Sequence, residues 1–183
     1  TLPTNFTVPS GCFFRFSGKS INSIQAIGDN IYVIMDEEIS IRSCSLHDAN
    51  TIVSLGIRTF RETFDEMNTS ENMMLYINKT FSLQKVKAEI QEEGSVFFIA
   101  EKDGKAVGYA RIRNSEKPAG LNGRSALEIE RLYADKKYLG KRIGFHLMNT
   151  CIQYAKKNGF DVIWLGVWEH NARAIAFYHK WGF

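Results

Sequence analysis

The residues most able to do chemistry stand together in one stretch, Glu130-Arg131-Leu132-Tyr133-Ala134-Asp135-Lys136-Lys137-Tyr138-Leu139-Gly140-Lys141-Arg142-Ile143-Gly144. Two glycines four apart and four basic side chains (Lys136, Lys137, Lys141, Arg142) fall where a strand gives way to a helix. At such a junction the first backbone N–H groups of the helix have no intrahelical acceptor, and the positive helix end adds to them. An anion such as a pyrophosphate is held by that combination, because the glycines let the backbone approach closely and the basic side chains add charge. The same residues also suit a plain solvated helix start. What separates the two readings is whether the rest of the chain supplies a partner for the junction.

The elements around the junction follow from periodicity. Ile39 to Cys44 alternates apolar and polar residues as a strand does. Ser45-x-x-Asp48 then opens a helix whose apolar stripe is Ala49, Ile52, Val53, Ile57, Phe60 and Phe64. A second helical stretch runs from Glu71 to about Glu93, with a break near Ser82 and a stop at Gly94. Val96 to Glu101 and Ala106 to Arg113 form a hairpin through Asp103-Gly104. After a loop from Asn114 to Ser125 come a strand (Leu127 to Ala134), a helix (Lys141 to Lys157, ended by Asn158-Gly159), a nearly all-apolar strand (Val162 to Trp168) and a last helix (Asn171 to Trp181). A hairpin followed by strand-helix-strand-helix implies an α/β fold: a mixed, mostly antiparallel sheet flanked by helices, with a parallel crossover between the last two strands.

The last helix supplies the partner. Asn171-Ala172-Arg173-Ala174-Ile175-Ala176-Phe177-Tyr178-His179-Lys180-Trp181-Gly182-Phe183 has the spacing Asn-x-x-Ala-Ile-x-Phe-Tyr-x-Lys-x-Gly-Phe. This resembles the C-terminal half of the GNAT family of N-acetyltransferases. The resemblance extends to the phosphate loop, Gln/Arg-x-x-Gly-x-Gly/Ala in the family. Here Leu139 stands at the basic position, Arg142 at the first glycine and Gly144 at the second. With the hairpin included it spans residues 39 to 183. Leu127-Glu128-Ile129-Glu130-Arg131-Leu132-Tyr133 and Trp164-Leu165-Gly166-Val167-Trp168-Glu169 look most like the PaiA-type spermidine/spermine N-acetyltransferases, as do Phe60 to Phe64 and Glu71-Asn72-Met73.

That resemblance implies the GNAT acyl-CoA N-acyltransferase fold, acetyl-CoA as cofactor and transfer of an acetyl group to a primary amine, with a polyamine such as spermidine or spermine as leading acceptor. Leu139, Gly140, Lys141, Arg142, Ile143 and Gly144 would hold the pyrophosphate, and the backbones of Leu132, Tyr133 and Ala134 would pair with the pantetheine arm. Asn171 matches a coenzyme-A-contacting asparagine and is equally an N-cap. Tyr178 matches the family's general acid, whose phenol protonates the departing sulfur. Glu130 is a candidate base for the amine or a salt-bridge partner, and Glu128 a weaker candidate on the same face. A cationic acceptor calls for an acidic cleft, which Glu62, Asp65 and Glu66, with Glu71 nearby, would supply. Two alternatives stay open: a GNAT enzyme acting on a protein N-terminus, an aminoglycoside or an amino acid, or a non-catalytic module that binds acyl-CoA or protein.

Composition bounds the rest. The 183 residues are 44% apolar and 23% charged, ordinary globular values for one domain plus an appendage. With 23 basic and 20 acidic residues the net charge is +3, which predicts no general binding of nucleic acid or membrane. No run approaches the roughly eighteen apolar residues of a membrane span, and a basic-then-apolar leader pattern is lacking, so a cytoplasmic protein is expected. Cys12, Cys44 and Cys151 read as free thiols, and no His or Cys spacing suggests a metal site.

Residues 1 to 38 have another texture, rich in Thr, Ser, Asn and Gly, with short apolar runs at Cys12–Phe16 and Ile31–Ile34 that read as strands. Gly18 to Gly28 resembles the end of a jacalin-type lectin repeat, but Ile21 and Gln25 depart where sugar binding would need the pattern. Family members usually carry two more strands past the Gly-Phe pair. The expectation is that these N-terminal strands take that place in the same or a neighbouring chain, the latter as a homodimer.

Overall fold

The structure is a computed structural model that describes residues 12–15, 39–118 and 120–183. The lectin-like stretch and Ile31–Ile34 lie outside the described residues. The elements in chain order are β1 (Cys12–Arg15), β2 (Ile39–Ser43), α1 (Ala49–Phe64), α2 (Ser70–Thr80), α3 (Leu83–Gln91), β3 (Ser95–Lys102), β4 (Lys105–Arg113), β5 (Ala126–Ala134), α4 (Ile143–Lys157), β6 (Val162–Leu165) and α5 (Ala172–His179). The strands form a six-stranded sheet in the order β1-β6-β5-β4-β3-β2. Among the described residues only β5 and β6 pair in parallel, as the strand-helix-strand crossover through α4 requires.

Each helix is placed by the residues that start it. Asp48 closes the short turn that leads into α1: its carboxylate accepts from the Ser45 N–H at 2.8 Å and is gripped by both Arg42 terminal nitrogens at 2.9 and 2.7 Å. Ser82 breaks the long helical pattern as expected, its hydroxyl accepting from the Lys85 N–H to begin α3. The sheet then separates two apolar layers. One face carries α4, with Ile143, Leu147, Met148 and Cys151 on Ala110, Ile112 and Ile129. The other carries α1 and α3, with Ile52, Leu55 and Val86 on Phe97, Ile99 and Tyr109. Gly108 is where α4 presses closest to the sheet. A Cβ there would lie 2.7 Å from Ile143 Cγ2 and 2.9 Å from the Tyr133 carbonyl oxygen, so only glycine fits.

Two boundaries beside the cleft differ from the sequence-based expectation. β6 ends at Leu165, and Gly166, Val167 and Trp168 leave the sheet to line a cleft. Helix α4 begins at Ile143, because Leu139 to Arg142 form the loop ahead of it. Of the two N-terminal strands expected, the described residues include one: β1 lies antiparallel beside β6, with Cys12 opposite Leu165 and Arg15 opposite Val162. No helix among the described residues is long and apolar enough to cross a membrane.

The Arg42 grip has a measurable consequence. Hydrogen bonding from Arg42, against a smaller opposing effect of burial, holds the Asp48 carboxyl down at about 2. A depressed carboxyl stabilises the fold above its ordinary pKa and loses that contribution as pH falls through the folded value. Stability should therefore drop by roughly 1 kcal/mol more in wild type than in Asp48→Asn as pH falls from the ordinary carboxylate value toward 2. Denaturant midpoints followed across that window check this.

Candidate active site

A break in strand pairing builds the site. β5 and β6 pair only as far as Glu128 opposite Trp164. Between β4 and β5 the register then shifts: Arg111 lies opposite Arg131 but Ile112 opposite Ile129, so Glu130 is an extra residue, a β-bulge. The bulge turns β5 away from β6. Past it, the edge of β5 that would have faced β6 has no strand beside it among the described residues, and it lines a cleft of about 840 Å³. An extended ligand arm can add to that edge as a strand does.

Helix α4 points its N-terminus at the same cleft. Its first intrahelical donor is the His146 N–H, which bonds to the Arg142 carbonyl at 3.0 Å, so the N–H groups of Ile143, Gly144 and Phe145 precede it without an intrahelical acceptor. The loop ahead turns through two left-handed residues, Gly140 (φ 80) and Arg142 (φ 61). Arg142 stands where the sequence pattern has glycine, and its backbone takes the conformation that glycine adopts at no cost. Its guanidinium lies 4.8 Å from the Phe145 ring centroid. Arg142→Gly is accordingly expected to raise stability by up to about 1 kcal/mol, read as a higher melting temperature.

Helix α1 anchors this loop from the other side. Arg58 Nε is 3.0 Å from Asp135 Oδ2, and Glu62 Oε2 accepts from the Lys136 N–H at 2.8 Å. Helix α5 forms the opposite wall. The Asn171 side chain caps it, accepting from the Ala174 N–H at 3.0 Å, and Tyr178 and Phe177 face into the cleft. The Tyr178 ring packs 5.4 Å from Phe177 and 5.9 Å from Phe183. Burial raises the Tyr133 phenol above its usual pKa, and the neighbouring Tyr76 and Tyr178 add to that rise. Tyr178 of α5 therefore lies within electrostatic reach of β5.

Most of the residues singled out in the sequence meet here. Glu62, Glu130, Leu132, Tyr133, Ala134, Leu139, Gly140, Arg142, Ile143, Gly144, Asn171 and Tyr178 line the one cleft. Lys141 does not: it is exposed, and its N–H is spent on the Tyr138 carbonyl at 3.1 Å. Asp65 and Glu66 do not either. They lie exposed in a short turn past α1, with Asp65 3.9 Å from Arg61, and Glu71 is likewise exposed outside the cleft. Of the expected acidic surface, only Glu62 reaches the site.

Glu130 takes the salt-bridge geometry. Its Oε2 accepts from Arg111 Nη1 at 2.6 Å and lies 3.5 Å from Arg131 Nε, while Oε1 is 3.3 Å from Arg113 Nη2. Glu89 completes the cluster from α3, holding Arg131 at 2.8 and 2.9 Å and Arg111 at 3.1 Å. Nothing in the sequence pattern marked this cluster. Phe64 and Trp168, 5.7 Å apart, also line the cleft; the sequence placed them in segments that resemble the PaiA type but gave neither a role in the site.

A splayed parallel strand pair, an open helix N-terminus and a tyrosine facing both describe a site for a nucleotide-bearing acyl donor. The model of the acetyltransferase (GNAT) family matches residues 59–183, and the chain belongs to that family. An uncharacterized N-acetyltransferase of Lactobacillus delbrueckii subsp. lactis is 31% identical over 144 residues, 79% of this chain and 83% of that protein. The spermidine N(1)-acetyltransferase of Thermoplasma acidophilum is 26% identical over 149 residues, 79% of this chain and 88% of that one. Among solved structures, the PaiA N-acetyltransferase of Thermoplasma acidophilum in complex with coenzyme A is similar with a TM-score of 0.69, at 24% identity over 78% of this chain and 87% of that one. An aminoglycoside acetyltransferase from an uncultured soil metagenomic sample, in complex with sisomicin, has a TM-score of 0.62 at 19% identity, covering 79% and 88%. The chain is an N-acetyltransferase, and acetyl-CoA is its acyl donor.

The site fits that donor. A Cβ on Gly140 would meet nothing within 4 Å, and one on Gly144 would project beside the Phe177 ring (3.6 Å) and Leu132 (3.9 Å), so both glycines leave room at the open end of α4. The backbone N–H groups there suit a pyrophosphate, and the bare edge of β5 suits an extended amide-bearing arm.

Proposed function

We propose that this protein acetylates a primary amine by direct attack, with Tyr178 as general acid. The observation that carries the reading is that Tyr178, the bare edge of β5 and the open N-terminus of α4 line one cleft. Bound acetyl-CoA supplies the thioester whose acetyl group is transferred. The N–H groups of Ile143, Gly144 and Phe145 hold the anionic end of that donor, and the backbone from Leu132 to Ala134 aligns its arm. Tyr178 keeps a proton on its phenol oxygen for the departing sulfur. Glu62, which lines the cleft with the rings of Phe64 and Trp168, draws the amine to it. Glu130, with arginines on both its oxygens, fixes the bulge in this scheme and is not the base.

A polyamine such as spermidine or spermine is the acceptor that the Thermoplasma relative's name supports. A second reading, an amine of another class, is favoured by the position of Asp65 and Glu66 outside the cleft and by the charge of the chamber described below. Thiol release from acetyl-CoA, measured with spermidine, spermine, an aminoglycoside, amino acids and a peptide N-terminus, ranks the acceptors by kcat/KM. A polyamine leading the series supports the first reading. An amino acid leading it supports the second, and no release with any amine contradicts both.

A further inference from the structure

Behind the bulge lies a second cavity of about 320 Å³, between α2, α3 and the sheet. It adjoins the transfer cleft, since Glu130, Arg131 and Tyr133 line both. An acceptor whose amine reaches the cleft from the α2 side therefore extends its remaining atoms into this chamber. The charges of the chamber decide what those atoms can be.

Three carboxylates line it, Glu89, Glu92 and Glu130, and each is held by a guanidinium. Arg111 alone spends Nε on Ser95 Oγ at 3.1 Å and its terminal nitrogens on Glu89, Glu92 and Glu130. Arg131 is bidentate on Glu89, and Arg113 is shared between Glu130 and Glu128. These acids are neutralised by the three arginines that line the chamber with them, so they offer a polycation little. The rim then adds two lysines on exposed helix positions. Lys79 has no ion-pair partner among the described residues, and Lys85 reaches Glu89 only at 3.7 Å. Five cations thus face three carboxylates, and counting Glu128 behind Arg113 the balance stays positive. A tail bearing ammonium groups is repelled there, whereas a carboxylate gains two lysine partners.

We infer that the acceptor is a short amine carrying a carboxylate, which this chamber binds through Lys79 and Lys85 while the amine reaches the cleft. The inference rests on the acetyl-transfer reading above and narrows its acceptor. No covalent step is added to it.

Matched pairs that differ only by the carboxylate test it: lysine with cadaverine and ornithine with putrescine. Calorimetric titration into the full chain saturated with coenzyme A reads binding without turnover. The amino acids are expected to bind at least about tenfold tighter than their decarboxylated twins, and the double substitution Lys79→Ala with Lys85→Ala, on exposed helix positions, to erase the difference. Equal or tighter binding of the diamines, binding of neither member, or an advantage that survives the double substitution overturns the inference. Thiol release is scored separately, so a polyamine substrate sinks the carboxylate inference and leaves the acetyltransferase reading standing, whereas release with no amine removes the latter.

Discussion

Tyr178→Phe should lower kcat by roughly 10²- to 10³-fold while leaving the affinity for coenzyme A within about twofold of wild type. The substitution keeps the ring that packs on Phe177 and Phe183 and removes only the hydroxyl. Every backbone group proposed to hold the donor, at α4 and along β5, is untouched. A general acid acts in the transition state and contributes little to ground-state binding, so the loss belongs in kcat and kcat/KM alike. If Tyr178 were only an aromatic packing on the sheet, kcat would barely move. Steady-state thiol release beside calorimetry of coenzyme A binding separates the two.

The largest structural effect is expected at Glu89. This carboxylate is 2% exposed, and it holds Arg131 with both oxygens and Arg111 with one. Glu89→Ala leaves two buried guanidinium groups short of a counter-charge, which costs about 3–5 kcal/mol, where the intact pair would be worth far less relative to an apolar replacement. For a chain of this length that corresponds to a melting temperature lower by roughly 10 °C. Glu92→Ala is the control. Glu92 is half-exposed, and Arg111 keeps Glu89, Glu130 and Ser95, so its removal should cost less than about 1 kcal/mol. Because the same cluster fixes the bulge at Glu130, the Glu89 variant should also lose activity at temperatures where it is still folded. Equal melting temperatures for the two variants would mean the cluster is not what holds α3 to the sheet.

What the sequence revealed and what it hid follow from the range of each signal. Asp103-Gly104 predicted its turn because both residues take left-handed backbone angles (φ 52 and 69), which few pairs tolerate. Ser82 predicted the break between α2 and α3 because a cap is a local interaction. The loop before α4 was legible for the same reason: Gly140 is needed where φ is positive, and Gly144 where the helix faces the cleft. Arg142 shows that the backbone form outlasts the glycine.

Longer-range features were not legible. The apolar run from Val162 to Trp168 mixes residues that pair in β6 with residues that line the cleft, and hydrophobicity does not distinguish a strand partner from a ligand wall. The acidic residues after Phe60 belong together in sequence, but Glu62 sits on α1 over the loop while Asp65 and Glu66 fall in the turn beyond its end. Where a helix stops relative to a cleft is a tertiary fact. The bulge at Glu130 is another, and with it Glu130 and Arg131 both join the ion cluster of Arg111, Glu130 directly and Arg131 through Glu89, against the alternation expected of a strand.

Acetyl transfer itself is tested most directly by mass spectrometry of the products formed when the purified chain, acetyl-CoA and a mixture of amines are incubated together. The prediction is an N-acetylated amine formed in equal amount to free coenzyme A thiol, with both abolished by heat denaturation of the protein. Acetyl-CoA that binds the folded protein and stays intact with every amine would contradict it.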